Sequence, residues 1–94
     1  MERSFFLLAY DITSDRRRAK IAKLMESLGE RVQGSVFEAW LTTVELEKLV
    51  KKAQKLLNEK EDSLRVYVIC AACRPRLKVY GQGSPTPPPV VTIV

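Results

Sequence analysis

The sequence predicts an α+β domain on the ferredoxin-like βαββαβ plan, with an extra C-terminal edge strand and a homodimeric assembly. Three observations carry this expectation. Residues 5–10, FFLLAY, form an unbroken apolar run of strand length. Two stretches with a 3.6-residue apolar period alternate with β-rich stretches, so the order reads β-α-β(β)-α-β. The 94 residues suffice for one small core and no second one. A domain of this size buries a modest share of its surface, which makes a second copy a natural source of stability.

The first strand, residues 5–10, lacks the polar alternation of a surface strand and belongs at the centre of a sheet; Asp11 ends it. Thr13, Ser14 and Asp15 then offer N-caps for a helix whose Ile21, Leu24, Met25 and Leu28 share one face, with Gly29 placed as a C′ glycine. Residues 31–41, RVQGSVFEAWL, read as two strands or one bulged strand broken at Gly34-Ser35. Thr42 and Glu45 form a capping-box signature ahead of a second helix with Leu46, Leu49, Val50, Ala53, Leu56 and Leu57 in its apolar stripe. Residues 64–70 make the next strand, after a charged turn. The main domain therefore spans residues 1–80. Residues 81–89, GQGSPTPPP, read as an extended Pro-rich connector, and residues 90–94 as an edge strand added either to the chain's own sheet or to a partner's.

Composition limits the chemistry. There is no His, which removes the commonest general base, the Ser–His and Cys–His pairs and every His-containing zinc site. There is also no phosphate-cradling glycine loop of the Walker or GxGxxG type. The net charge is +5, and the excess is localised: Arg16, Arg17, Arg18, Lys20 and Lys23 lie in a stretch without acids, as do all basic residues after position 63. Concentrated positive stripes on a folded domain suit a polyanion, and nucleic acid is the first candidate. Cys70 and Cys73 are too few for a disulfide framework. Their CxxC spacing admits a redox pair or half of a zinc site shared by two chains, but Arg74-Pro75 follows where a redox motif opens a helix, which favours buried or idle thiols. The apolar run at residues 5–9 is too short for an export signal and nothing approaches a membrane span, so a cytoplasmic protein is expected.

Asp11 is the carboxylate to watch, because it ends a buried strand beside the helix that carries Arg16, Arg17 and Arg18; the competing reading is a turn-forming Asp. Mg²⁺ is commonly held by one or two carboxylates plus waters and phosphate oxygens. A two-fold axis that joins two Asp11 side chains would supply what one chain lacks. Asp15 and Glu38 are the alternative carboxylates. Arg side chains would brace the phosphate, since their planar fork matches two of its oxygens.

Three strings occur in order: Tyr10-Asp11-Ile12 after the apolar strand, the basic run Arg16-Arg17-Arg18-Ala19-Lys20-Ile21, and Arg31-Val32-Gln33-Gly34-Ser35-Val36-Phe37-Glu38. Together they resemble the Cas-two family, the small CRISPR-associated subunit of the spacer-acquisition machinery, over nearly the full length. The resemblance implies a ferredoxin-like homodimer whose C-terminal strand packs on the partner's sheet, with a magnesium ion between the two Asp11 carboxylates. It implies metal-dependent endoribonuclease activity, in some members on double-stranded DNA, and a bridging role between two dimers of the Cas-one integrase. Asp11 then matches the metal ligand. Tyr10, Arg18, Arg31 and Phe37 match positions implicated in cleavage, and Ser35 lies in the same motif. Arg16, Arg17 and Lys20, with Ser35, are the expected nucleic-acid contacts; Lys20 stands where some relatives have Arg. A non-catalytic scaffold and a toxin-like ribonuclease of related fold are the alternative readings.

Overall fold

A computed structural model describes residues 2–89. The elements are β1 (Ser4–Asp11), α1 (Asp15–Glu26), β2 (Glu30–Gln33), β3 (Val36–Leu41), α2 (Thr43–Leu56) and β4 (Ser63–Ile69), followed by a short 3₁₀ turn at Arg74–Arg76. The four strands form one sheet in the order β2-β3-β1-β4, and every neighbouring pair is antiparallel. This is the ferredoxin-like arrangement. Residues 31–41 resolve into two strands with a register shift between Arg31 and Gln33, so both forms of the expected break are present.

β1 lies between β3 and β4, buried along its helix-facing side and at Phe5 on the other, where Leu7 and Ala9 are half-buried. Phe6, Leu8 and Tyr10 point to the helices and join Phe37, Ala39 and Leu41 of β3, Ile21 and Met25 of α1, and Leu49 and Ala53 of α2 in the core. Phe5, on the other face, is equally buried, since Trp40 packs on it at 5.1 Å and the Arg74 guanidinium lies 4.7 Å over its ring. The absence of alternation in this strand thus has a direct cause.

Both helix starts follow their sequence signals. Ser14 caps α1 by accepting from the Arg17 N–H at 3.3 Å. Thr42 and Glu45 exchange side-chain and backbone bonds at 3.2 and 2.9 Å, a complete capping box at α2. Such caps each contribute about 1 kcal/mol. The end of α1 differs from expectation. Gly29 does not adopt the left-handed conformation of a C′ glycine; among the described residues only Gly81 and Gly83 have positive φ. Its role is close approach, because a Cβ there would meet the Glu38 carbonyl oxygen at 2.7 Å and Ala39 Cβ at 3.0 Å. Leu28, assigned to the buried stripe, is 37% exposed.

The connector at residues 81–89 has neither helix nor strand, as expected, but it does not hang free. Thr86 is buried on the sheet face away from the helices. Its N–H and hydroxyl donate to Glu38 Oε1 at 3.0 and 2.8 Å, while its carbonyl accepts from Trp40 Nε1 at 2.9 Å and Arg74 Nη2 at 2.8 Å. Glu38 therefore has a structural partner, and every polar group of Thr86 is satisfied within the domain. The expected strand at residues 90–94 lies outside the described residues.

Candidate nucleic-acid interface and metal site

Tyr10 is the last core residue of β1. Its backbone N–H donates to the Ser35 carbonyl at 3.0 Å and its hydroxyl to the Gly34 carbonyl at 3.2 Å, so two bonds tie the end of the central strand to the β2–β3 turn. This tie shapes a cleft of about 400 Å³ between the turn and α1. Its polar lining comprises Tyr10, Arg18, Lys23 and Arg31 together with the carboxylates of Asp15 and Glu26. Phe37 lies beneath: the Arg31 guanidinium sits 5.2 Å over its ring, and Tyr10 packs on it at 6.2 Å. Arg31 is further held by Glu26 at 3.0 Å. Arg18 donates through Nε and Nη2 to the Ile12 carbonyl at 3.2 and 3.0 Å, and through Nη1 to Asp15 at 2.6 Å. It thereby fixes the loop that follows Asp11.

The structure thus brings Tyr10, Arg18, Arg31 and Phe37 together. Asp11 stands apart from them. Successive strand side chains alternate faces, so Asp11 is on the side opposite Tyr10 and does not line the cleft. Asp11 is exposed and, among the described residues, forms no ion pair, in contrast to Asp15 and Asp62. Ser35 is exposed in the β2–β3 turn. Arg16 and Lys20, four residues apart on one exposed side of α1, also form no ion pair among the described residues.

Arg17 has a different environment. Its Nε donates to Asp62 at 2.7 Å, and Nη2 reaches Asp62 at 3.3 Å, Glu61 at 3.1 Å and Thr13 at 3.3 Å. The Asp62 side chain is fully covered and also accepts the N–H groups of Asn58 and Thr13. The Arg17 guanidinium holds the Asp62 carboxyl down at a pKa of about 2, helped by those N–H groups. Grouped by sequence with the phosphate-contacting cations, Arg17 is here a clip that joins α1 to the loop before β4. Nothing local in the sequence marks Asp62 as its partner, whereas Lys23 and Glu26 share a helical face with Asp15, a spacing that marks them as cleft residues.

The Arg17–Asp62 clip gives a pH prediction. A carboxyl whose pKa is lowered by folding stabilises the fold above its unfolded value of about 3.9, and that contribution disappears as pH falls through its folded value. The melting temperature of wild type should therefore exceed that of Asp62→Asn at pH 6–7, roughly the plateau, with the gap closing between about pH 5 and 2. A gap independent of pH would show that the clip is not electrostatic.

Fold and site together define a small ferredoxin-like α+β protein with an arginine-lined cleft at the end of its central strand and an unspent carboxylate beside it. The family model CRISPR associated protein Cas2 matches residues 4–76, and the chain belongs to this family. It is 45% identical over 82 residues to CRISPR-associated endoribonuclease Cas2 1 of Chloroflexus aurantiacus, covering 86% of this chain and 88% of the relative. It is 42% identical over 83 residues to CRISPR-associated endonuclease Cas2 2 of Thermus thermophilus, covering 88% of each. Among solved structures, hypothetical protein TT1823 from Thermus thermophilus superposes with a TM-score of 0.78 at 41% identity, over 87% of this chain and 95% of that one. A chain of a partial Cas6-RT-Cas1–Cas2 complex gives a TM-score of 0.74 at 25% identity, over 96% of this chain and 99% of its own. Among the described residues, no helix is long and apolar enough to cross a membrane.

Proposed function

We propose that the protein is a spacer-acquisition subunit that acts as a homodimer and cuts RNA phosphodiesters with magnesium, with double-stranded DNA as a further substrate. The observation that carries this reading is the state of Asp11, an exposed carboxylate at the end of a buried central strand. The neighbouring acids are committed: Asp15 to Arg18, Asp62 to Arg17 and Glu38 to Thr86. The relatives named as endoribonucleases and endonucleases support it.

The residues present fit a magnesium ion only in part. Asp11 offers the hard oxygen donors Mg²⁺ prefers, but among the described residues no group of three or more metal-ligating side chains forms. Two Asp11 carboxylates, one from each copy, would hold the ion while water and phosphate complete its shell. When bound, Mg²⁺ lowers the pKa of water and offsets phosphate charge. The cleft residues bind and orient. Arg31, steadied by Phe37 and Glu26, presents its fork to phosphate oxygens, and Tyr10 and Ser35 hold the turn that shapes the entrance. Arg18 fixes the loop on which Asp11 depends. Purified protein should lose RNA cleavage on chelation of divalent ions and regain it when Mg²⁺ is restored. Cleavage that survives chelation would exclude a metal-dependent reaction.

A second reading, a scaffold that clamps DNA between integrase dimers, is favoured by Arg16 and Lys20. Their charges face solvent beside the cleft. The Cas1–Cas2 complex among the structural neighbours supports a Cas-one partner. Replacing both residues with Ala should weaken duplex binding and flatten the log–log salt dependence by up to about 0.9 for each phosphate left without its cation. An unchanged slope would place the DNA elsewhere.

A further inference from the structure

Of the buried or idle thiols that the sequence favours, the buried form does not hold: Cys70 and Cys73 are both exposed. β4 stops at Ile69, and the chain turns at once. The N–H groups of Cys73 and Arg74 both donate to the Cys70 carbonyl at 2.9 Å. A turn of this kind brings the first and fourth Cα atoms within about 7 Å, which overlaps the separation of about 4.4–6.8 Å that disulfides span. The backbone turn is therefore compatible with the closure that a Cys70–Cys73 bond requires.

The surroundings distinguish the two sulfurs. The Cys73 N–H, the Cys73 side chain and the Ala72 N–H all favour the Cys70 thiolate, so its pKa lies below the ordinary thiol value. That same interaction with Cys70 holds the Cys73 thiol up. Arg74 and Arg76 follow directly, and no acidic residue occurs in the sequence beyond position 62. Exposure and the adjacent backbone donors together are the environment of a reactive thiol rather than an inert one. Zinc fits less well, since two thiolates fill only half of a tetrahedral shell.

We propose that Cys70 and Cys73 form a redox-active dithiol that low-molecular-weight disulfides convert reversibly to an intramolecular disulfide. Cys70 Sγ attacks one sulfur of the oxidant; a mixed disulfide forms, the oxidant's S–S bond breaks, and one small thiol leaves. Cys73, on losing its proton, attacks Cys70 Sγ, forms the internal bond and expels the second small thiol. The protein gives up two electrons and two hydrogens, which the oxidant carries away as two thiols. Little rearrangement is needed, and so short a loop adds less chain-entropy stabilisation than a long one. The oxidised domain should melt above the reduced one, by no more than roughly 15 °C.

The test uses the full chain, reduced, freed of reductant and exposed to glutathione disulfide at neutral pH. Both thiols should disappear, with the peptide that carries them lighter by two hydrogens, no glutathione retained, and complete reversal by dithiothreitol. Cys73→Ser should stop at a stable glutathione adduct on Cys70, and Cys70→Ser should react at least about 5-fold more slowly than Cys73→Ser. Persistent glutathione on the wild-type protein, disulfide-linked dimers, or two unreacted thiols would overturn the proposal. Equal rates for the two Ser variants would overturn the assignment of Cys70 as the attacking sulfur.

Discussion

Asp11→Asn is expected to lower magnesium-dependent RNA cleavage at least about 100-fold, a barrier increase of about 2.7 kcal/mol. Asn keeps the size of the side chain but gives up the charge and one of two equivalent oxygens, the properties a hard divalent ion selects. In the proposed dimer each substitution would count twice, because both copies would contribute to one site. The fold should not respond: Asp11 is exposed and, among the described residues, in no ion pair, and substitutions of that type change stability by no more than about 0.5 kcal/mol. Equal melting temperatures with unequal cleavage are the expected pair of results. A variant that cuts RNA within about threefold of wild type would remove Asp11 from the chemistry altogether. Measured alongside spacer acquisition, the same variant separates the two readings of function. Acquisition that survives the loss of cutting assigns the adaptation role to the clamp.

Phe37→Ala is expected to cost about 3–5 kcal/mol, the largest stability effect of any substitution near the cleft. Phe37 has no exposed surface, sits opposite Leu8 on the inner pair of strands, and touches both Tyr10 and Arg31. Truncation removes the apolar area and leaves a cavity that two paired strands have little freedom to close. In a domain this small, each kcal/mol moves the melting temperature by roughly 4–8 °C, so a fall of at least about 12 °C is anticipated at matched protein concentration. Phe37→Leu, which keeps most of the volume, should recover most of that loss. A truncated variant that melts within about 3 °C of wild type would mean that the ring is not part of the cooperative core. Comparison of the Leu variant with wild type in cleavage then reports the ring's second role, support of the Arg31 guanidinium, without interference from unfolding.

Local signals are legible where physics is local. The two apolar stripes, the Ser14 and Thr42 caps and the uninterrupted β1 run each depend on residues within one helix or one strand, and each is readable from the amino-acid string alone. Contacts between distant residues are not. Thr86 meets Glu38 across 48 positions, and Arg17 meets Asp62 across 45; neither partner carries a pattern that names the other. Gly29 follows the end of α1 but does not serve as the expected cap, because a glycine needed for backbone approach and one needed for positive φ look alike in a string. The candidate site is legible as a set of residues but not as a shape. Tyr10 and Asp11 are adjacent in sequence, yet the two-residue period of a strand puts them on opposite sides of the sheet, so the cleft and the carboxylate are neighbours at one end rather than members of one pocket.

The bond between Trp40 and Thr86 has a practical use. The protein has a single tryptophan, and its indole N–H is bonded to the carbonyl of the C-terminal segment. Intrinsic fluorescence is therefore a built-in optical probe of that one attachment. A shift in emission without loss of helical circular dichroism would register the segment lifting from the sheet while the rest of the fold stays intact.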